Sequence, residues 1–308
     1  MNNKDIKGLE TVGGQAIMEG VMMKSAHFYA TSIRLPNGTI ETEVHPFRSI
    51  LEKHPFLKKP VLRGIFLLFE TMILGIKTLL HSANKTQEKE EDKLTTWQTV
   101  WILIVSISMS VGLFVLLPLL LTYLVKWAVT LVDQSSILFN LVDGIFKISV
   151  FLAYVYFASL MPEIARVFQY HGAEHKSIWT WESDKELTVD KARPYTTLHP
   201  RCGTSFLVFV LVISVFIFSL VPTNLPWYVN FFWRVPLIPV IAGIGYEVLK
   251  ASARYSCSWW MKILIWPGLQ VQRITTKQPD DSQLEVGLES LKAVIKAEKG
   301  YNNIETSL

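Results

Sequence analysis

Only two cysteines, Cys202 and Cys257, occur in 308 residues. Both fall in segments read below as cytoplasmic, where thiols stay reduced, so a disulfide framework is excluded. Charge is sparse, at 18% of residues with a formal net charge of +4. No stretch interleaves basic and aromatic side chains in the manner of a nucleic-acid platform, and no nucleic-acid partner is expected. No internal repeat is found, and the apolar runs carry few charges beyond Asp143 and Lys147; a transporter is therefore the least favoured function class. The polar start, with Lys4, Asp5 and Lys7, lacks an apolar core followed by a small-residue cleavage site. That pattern predicts no removable signal peptide.

Apolar sequence is what the chain has in quantity. Half of the residues are hydrophobic and 12% are aromatic, with a mean hydropathy of +0.30, more than an ordinary soluble enzyme uses. Four runs are long enough for a bilayer core of about 30 Å: Val100 to Val125, Leu141 to Met161, Thr204 to Val221, and Val235 to Leu249. The last is interrupted by Pro236, Pro239, Gly243 and Gly245. Lys and Arg crowd the connections before the first run, between the second and third, and after the fourth, and are scarce in the other two. This alternation predicts both termini, and the loop between the second and third runs, on the cytoplasmic side. The mild positive charge then reflects orientation and contact with anionic heads of the lipid bilayer.

The expected fold is mainly α and polytopic: about four transmembrane helices, an interfacial helix and a small cytoplasmic β-hairpin or sheet. From His27 to His45 the residues alternate about Pro36-Asn37-Gly38, a hairpin signal. Val61 to Leu80 is apolar but carries Arg63, Glu70 and Lys77 seven residues apart, which predicts a helix lying in the interface or packed on the bundle. Lys85 to Lys93 reads as a solvated linker. Ser282 to Glu285 has a capping-box pattern leading into Leu284, Leu288, Leu291 and Ile295, with Gly300 as the stop. The resulting organisation is 1–60 N-terminal β-containing region, 61–96 interfacial helix and linker, 97–161 the first two transmembrane helices, 162–203 cytoplasmic loop, 204–250 the second two, and 251–308 C-terminal region with an amphipathic helix.

The chemistry sits at His171-Gly172-Ala173-Glu174-His175. On a helix, positions i, i+3 and i+4 share a face, so two imidazoles and a carboxylate converge in the H-x-x-E-H arrangement, with the histidines as ligands and Glu174 as base. The alternative is a chance polar face on an exposed turn, and Gly172 weakens the helix. Cys202, in His199-Pro200-Arg201-Cys202, is either a zinc ligand or a small buried thiol at a helix start. Cys257, beside Trp259 and Trp260, reads as interface packing. Glu247, near the inner end of the fourth run, is either functional or a structural ion pair with Arg234, Lys250 or Arg254. Two ligand sets follow. His171, His175 and Glu247 with Glu174 as base leave room for water and are catalytic; His171, His175, His199 and Cys202 close a tetrahedron and are structural. In Gly13 to Met23, the adjacent glycines permit close backbone approach, so the block is either a flap with Glu19 as a spare ligand or an apolar strand docking the sheet on the bundle. The roles of Gln15, Glu19 and Arg201 stay open at this stage.

The blocks Gly13 to Met23, Tyr170 to Lys176, His199 to Ser205, Tyr246 to Lys250 and Pro267 to Gln270 resemble, in order and over nearly the whole chain, the signatures of the YqhQ-like family of bacterial membrane proteins. The resemblance implies a bacterial cytoplasmic-membrane location and a shared His/Glu site, described in that family as that of predicted metal-dependent enzymes. Two functions are carried forward. One is a metal-dependent hydrolase, with zinc the first candidate among divalent ions, acting on a lipid-linked molecule or a membrane-protein segment. The other is a non-enzymatic partner of a membrane protein complex in insertion, translocation or quality control.

Overall fold

The computed structural model describes residues 12–87, 95–183, 186–222, 225–255 and 258–305; Lys4, Asp5, Lys7, the end of the Lys85–Lys93 linker and Cys257 lie outside them. Four strands, β1 Gly13–Ile17, β2 Gly20–Lys24, β3 Phe28–Arg34 and β4 Ile40–Pro46, form an antiparallel sheet in sequence order. The Asn-Gly turn joins β3 to β4 as the alternation predicts. Gly38 takes φ 85° and Asn37 Oδ1 accepts the Thr39 N–H at 3.0 Å. The β1–β2 hairpin turns on Met18 and Glu19 alone, with Ile17 opposite Gly20. Side chains alternate between the two faces, and both faces are covered. Val21, Met23 and Ala30 pack with Tyr170, Ile178, Trp181 and Leu291, whereas Ile17, Met22, Tyr29 and Ile33 pack with Leu74.

The covering helices are α1 Leu62–Lys85, α4 Pro162–Glu182 and α9 Asp281–Glu305. Between them run α2 Thr96–Ala128, α3 Ser136–Ala158, α5 Gly203–Phe218, α6 Trp227–Arg234, α7 Leu237–Arg254 and α8 Trp259–Thr275. Thr95 and Gln98 close a capping box at the start of α2. A π turn over Gly112–Leu116 accommodates Pro118, whose ring would clash with a carbonyl of the preceding turn. Buried Glu298 of α9 accepts from Ser25 Oγ at 2.7 Å, the His27 N–H at 3.1 Å and His27 Nδ1 at 2.6 Å, locking α9 to the sheet.

Among the described residues, three helices are long and apolar enough to cross a membrane, α1, α2 and α3, or four if the bent pair α6/α7, kinked by 45°, is one span. On α2, Trp101, Ile104, Val105 and Ile107 are all exposed, a surface suited to lipid. Two expectations shift. Helix α1 is long enough to span, with mean hydropathy 1.5 over its most apolar stretch, yet its second half lies on the sheet: Gln15 Nε2 donates to Gly75 O and Thr78 Oγ1, each at 3.1 Å, and the Met18 N–H to Ser82 Oγ at 3.0 Å. The third apolar run is a helix of only 16 residues, which rises about 24 Å. The C-terminal capping box also differs. Asp280 and Gln283 close it reciprocally, at 2.9 and 3.0 Å, rather than Ser282 and Glu285, and the helix runs through Gly300 to Glu305.

Charge inside the bundle is concentrated where α6 meets α3. Arg234 donates to Asp143 Oδ2 at 2.6 Å, Asn140 Oδ1 at 2.8 Å and Asn230 Oδ1 at 2.7 Å. Lys147 Nζ reaches the same Asp143 oxygen at 2.6 Å. Both cations also lie over the Phe218 ring, at 4.8 and 4.2 Å. The cluster fixes the kinked α6/α7 segment against α3 and α5.

Candidate metal centre

Helix α4 begins with Pro162, whose fixed φ suits a first helical turn, and it continues through Gly172 despite that residue's poor helix propensity. The glycine is required by packing. A Cβ at position 172 would stand 2.1 Å from the Lys277 carbonyl oxygen, because the segment leaving α8 crosses α4 there and donates the Lys277 N–H to Phe168 O at 2.8 Å. Gly172→Ala is expected to cost about 1–3 kcal/mol through this overpacking, and to weaken any metal binding by displacing Thr275. Thermal unfolding in detergent and a metal titration check both effects.

The helix brings His171, Glu174 and His175 to one face. His171 Nδ1 bonds to Thr275 O at 2.9 Å and His175 Nδ1 to Thr197 O. A carbonyl only accepts, so both Nδ1 atoms carry the proton and both Nε2 atoms of the neutral rings are left unprotonated, able to accept or to ligate. This is how ligating histidines are held in metal sites. The Thr197 loop is pinned to α4 by Trp179 Nε1 on Leu198 O at 2.9 Å and Lys176 Nζ on Arg193 O at 2.7 Å.

Cys202 completes the group from another element. It caps the start of α5, where its Sγ accepts the Thr204 N–H at 3.4 Å, at the helix end that favours negative charge. His171 Nε2 lies 3.2 Å from Sγ, and the ligand atoms of His171, His175 and Cys202 all fall within 4.8 Å of one another. Tetrahedral zinc spaces N and S ligand atoms by about 3.5 Å, so a small closing movement suffices. Glu174 Oε2 is 3.4 Å from His175 Nε2 and 3.9 Å from His171 Nε2. Its Oε1 accepts the Gly14 N–H at 3.1 Å. Burial pushes the Glu174 carboxyl above its ordinary range, opposed by His171, His199 and the Gly14 N–H. Burial likewise lowers His175 and so favours the neutral, ligating form, against a hydrogen bond to Cys202.

The remaining candidates are distributed as follows. His199 lines the same cavity, and its Nε2 lies 3.5 Å from Glu182 Oε2. Its pKa is pushed down to about 4 by burial, and its ring meets Trp179 edge to face with centroids 4.7 Å apart; it is outside the His/His/Cys group. Arg201 pairs with Glu182. Gln15 ties β1 to α1. Glu19 is held by Arg166, with Tyr170 donating at 3.2 Å, and belongs to the docking hairpin. Glu247 is not brought to the histidines. It accepts from Arg63 Nε at 2.7 Å and from the Val61 N–H at 3.4 Å, clamping the start of α1, where Val61 adopts φ 67°. Neither ligand set read from the sequence therefore forms whole. The structure combines the two histidines with Cys202 and sets Glu174 beside them. The Thr275 and Thr197 carbonyls have no side-chain signal and were invisible to sequence reasoning, whereas the Gly13-Gly14 pair did signal the close approach now seen at Glu174.

A cavity of about 430 Å³ opens on this group, lined among others by Val12 to Ala16, Thr71, Phe168 and Arg201. Helices able to span a membrane, with a sheet-capped His/His/Cys/Glu cluster beside them, define a multi-helix protein with a candidate metal centre. The chain belongs to the family described as "Protein of unknown function (DUF1385)", which matches residues 59–297 and thus includes all four residues of the cluster. It is similar to "Uncharacterized protein YqhQ" of Bacillus subtilis (strain 168), 36% identical over 304 residues, 93% of this chain and 92% of that one. No solved structure matches.

Proposed function

We propose that the protein is a metal-dependent hydrolase of the bacterial cytoplasmic membrane, with His171, His175 and Cys202 as ligands to a divalent ion and Glu174 as general base. The carrying observation is the pair of Nδ1-to-carbonyl hydrogen bonds, which leaves two unprotonated Nε2 atoms converging with the Cys202 sulfur. Mixed nitrogen and sulfur donors favour zinc. When bound, the ion would polarise a water molecule and a substrate carbonyl. Three protein ligands leave a position open, the pattern of catalytic rather than structural sites. Glu174, with one oxygen anchored on Gly14 and the other beside the histidines, is placed to take a proton from that water. The alternation of Lys and Arg supports a cytoplasmic site, and the closeness of α3 and α5 supports a substrate at the inner leaflet.

The test is elemental analysis of the detergent-purified wild type and of Glu174→Gln, with turnover of a quenched fluorescent peptide library. The expected result is near-stoichiometric zinc in both and hydrolysis slower in the variant by about 10²–10⁴-fold. A folded wild type without metal would retire the enzyme reading in favour of a non-enzymatic partner in membrane-protein insertion or quality control.

A further inference from the structure

Strand β1 is the edge of the sheet, paired on one side only. A two-residue turn closes on a hydrogen-bonded pair, here Ile17 with Gly20. Bonded and non-bonded pairs then alternate, so Gln15 and Gly13 face β2 with their backbone groups, and Ala16 and Gly14 turn theirs outward. The Gly14 N–H donated to Glu174 Oε1 agrees with this register. Among the described residues, the Gly14 carbonyl and both backbone groups of Ala16 make no backbone hydrogen bond outside the β1–β2 ladder, in which the register turns them away from β2. They border the cavity that holds His171, Glu174, His175 and Cys202. Helix α4 flanks this edge on one face of the sheet and α1, through Gln15 and Thr71, on the other. The result is a slot beside the metal group, floored by unpaired main chain.

Unpaired backbone groups at a sheet edge are a template for another strand. An acyl chain offers nothing to pair with them; an extended peptide offers donors and acceptors at the same two-residue period. Resting on the metal-hydrolase reading, we propose that the substrate is a polypeptide segment that adds to β1 as a fifth strand, carrying one peptide bond past Glu174 and the ligand group. In the reaction, water oxygen bonds to the peptide carbonyl carbon and the C–N bond breaks. Glu174 passes the proton taken from water to the departing amine nitrogen. Water is the only co-reactant.

Hydroxamates bind a metal centre directly and give a readout independent of turnover. The full-length protein in detergent is titrated with acetohydroxamate, with N-acetyl-leucyl-alanyl-leucyl hydroxamate, with versions of that peptide N-methylated at each amide in turn, and with myristoyl hydroxamate. The peptide probe is expected to bind at least about tenfold tighter than acetohydroxamate, and methylation at alternate amides to cost about tenfold while the intervening position costs little, as loss of single strand-addition hydrogen bonds requires. Ala16→Pro removes one outward donor without touching the ladder, a position where proline is tolerated. It is expected to weaken the peptide probe about tenfold and to leave zinc content unchanged. Equal cost of methylation at every amide, or myristoyl hydroxamate binding tighter than the peptide, overturns strand addition while leaving the metal centre standing. Failure of acetohydroxamate and zinc to bind at all overturns the metal reading and this one with it. The methylation series needs no protein variant, so misfolding of Ala16→Pro leaves the test intact.

Discussion

Replacing His171 and His175 together with alanine is expected to take zinc from near one ion per chain to background while α4 remains folded. Alanine is the best helix former, so neither substitution opposes the helix. The two rings lie with centroids 4.5 Å apart and supply two of the three converging donor atoms; without them Cys202 remains as a single thiol. The cost to folding comes from the carbonyls of Thr275 and Thr197, which lose their donors. A buried acceptor left unpaired costs about 1–3 kcal/mol, which moves the unfolding midpoint without abolishing the fold. Elemental analysis read beside circular dichroism separates the two effects. Metal retained by a folded double variant would contradict the ligand assignment.

Asp143→Ala is expected to be the most destabilising single change, by about 3–5 kcal/mol. Arg234 is fully buried and Lys147 is 4% exposed, and Asp143 Oδ2 is the carboxylate oxygen both cations share. Removing it leaves two positive charges in an apolar bundle, faced by the neutral groups of Asn140 and Asn230 and by the Phe139 and Phe218 rings. Asp143→Asn keeps an acceptor and should lose less. Unfolding of the two variants in one detergent, followed by tryptophan fluorescence, gives the ordering. Equal and small losses would mean that water reaches the cluster and solvates its cations.

Several features could be read without coordinates because they depend on near neighbours in sequence. The Asn37-Gly38 turn needs only a residue that accepts positive φ. The long apolar runs need only composition. The H-x-x-E-H face needs only 3.6-residue periodicity, and Gly172 misled because its small size answers a contact with Lys277, more than a hundred residues away. The start of α9 differs from the sequence expectation for a local reason. Asp280 and Ser282 both lie three residues before a residue able to close a box, and Asp280 takes the role because Gln283 bonds back to it.

Pairings across the fold were a different matter. From its depth on the fourth run Glu247 is expected near the histidines, and the three ion-pair partners open to it on that basis, Arg234, Lys250 and Arg254, do not include Arg63, which takes it across the bundle. The charges of α1 suggested an interfacial helix, but only the packed structure shows its second half covering a sheet face through Ser82 and Thr78. The sequence by itself determined the apolar helices, the hairpin and the histidine face, because each follows from the period of side chains along one local element. The tertiary structure decided that Cys202 rather than Glu247 joins His171 and His175, that two backbone carbonyls orient them, and that the β1 edge opens on the same cavity. Those outcomes depend on which segments approach one another in space, and hydropathy and spacing carry no information about that.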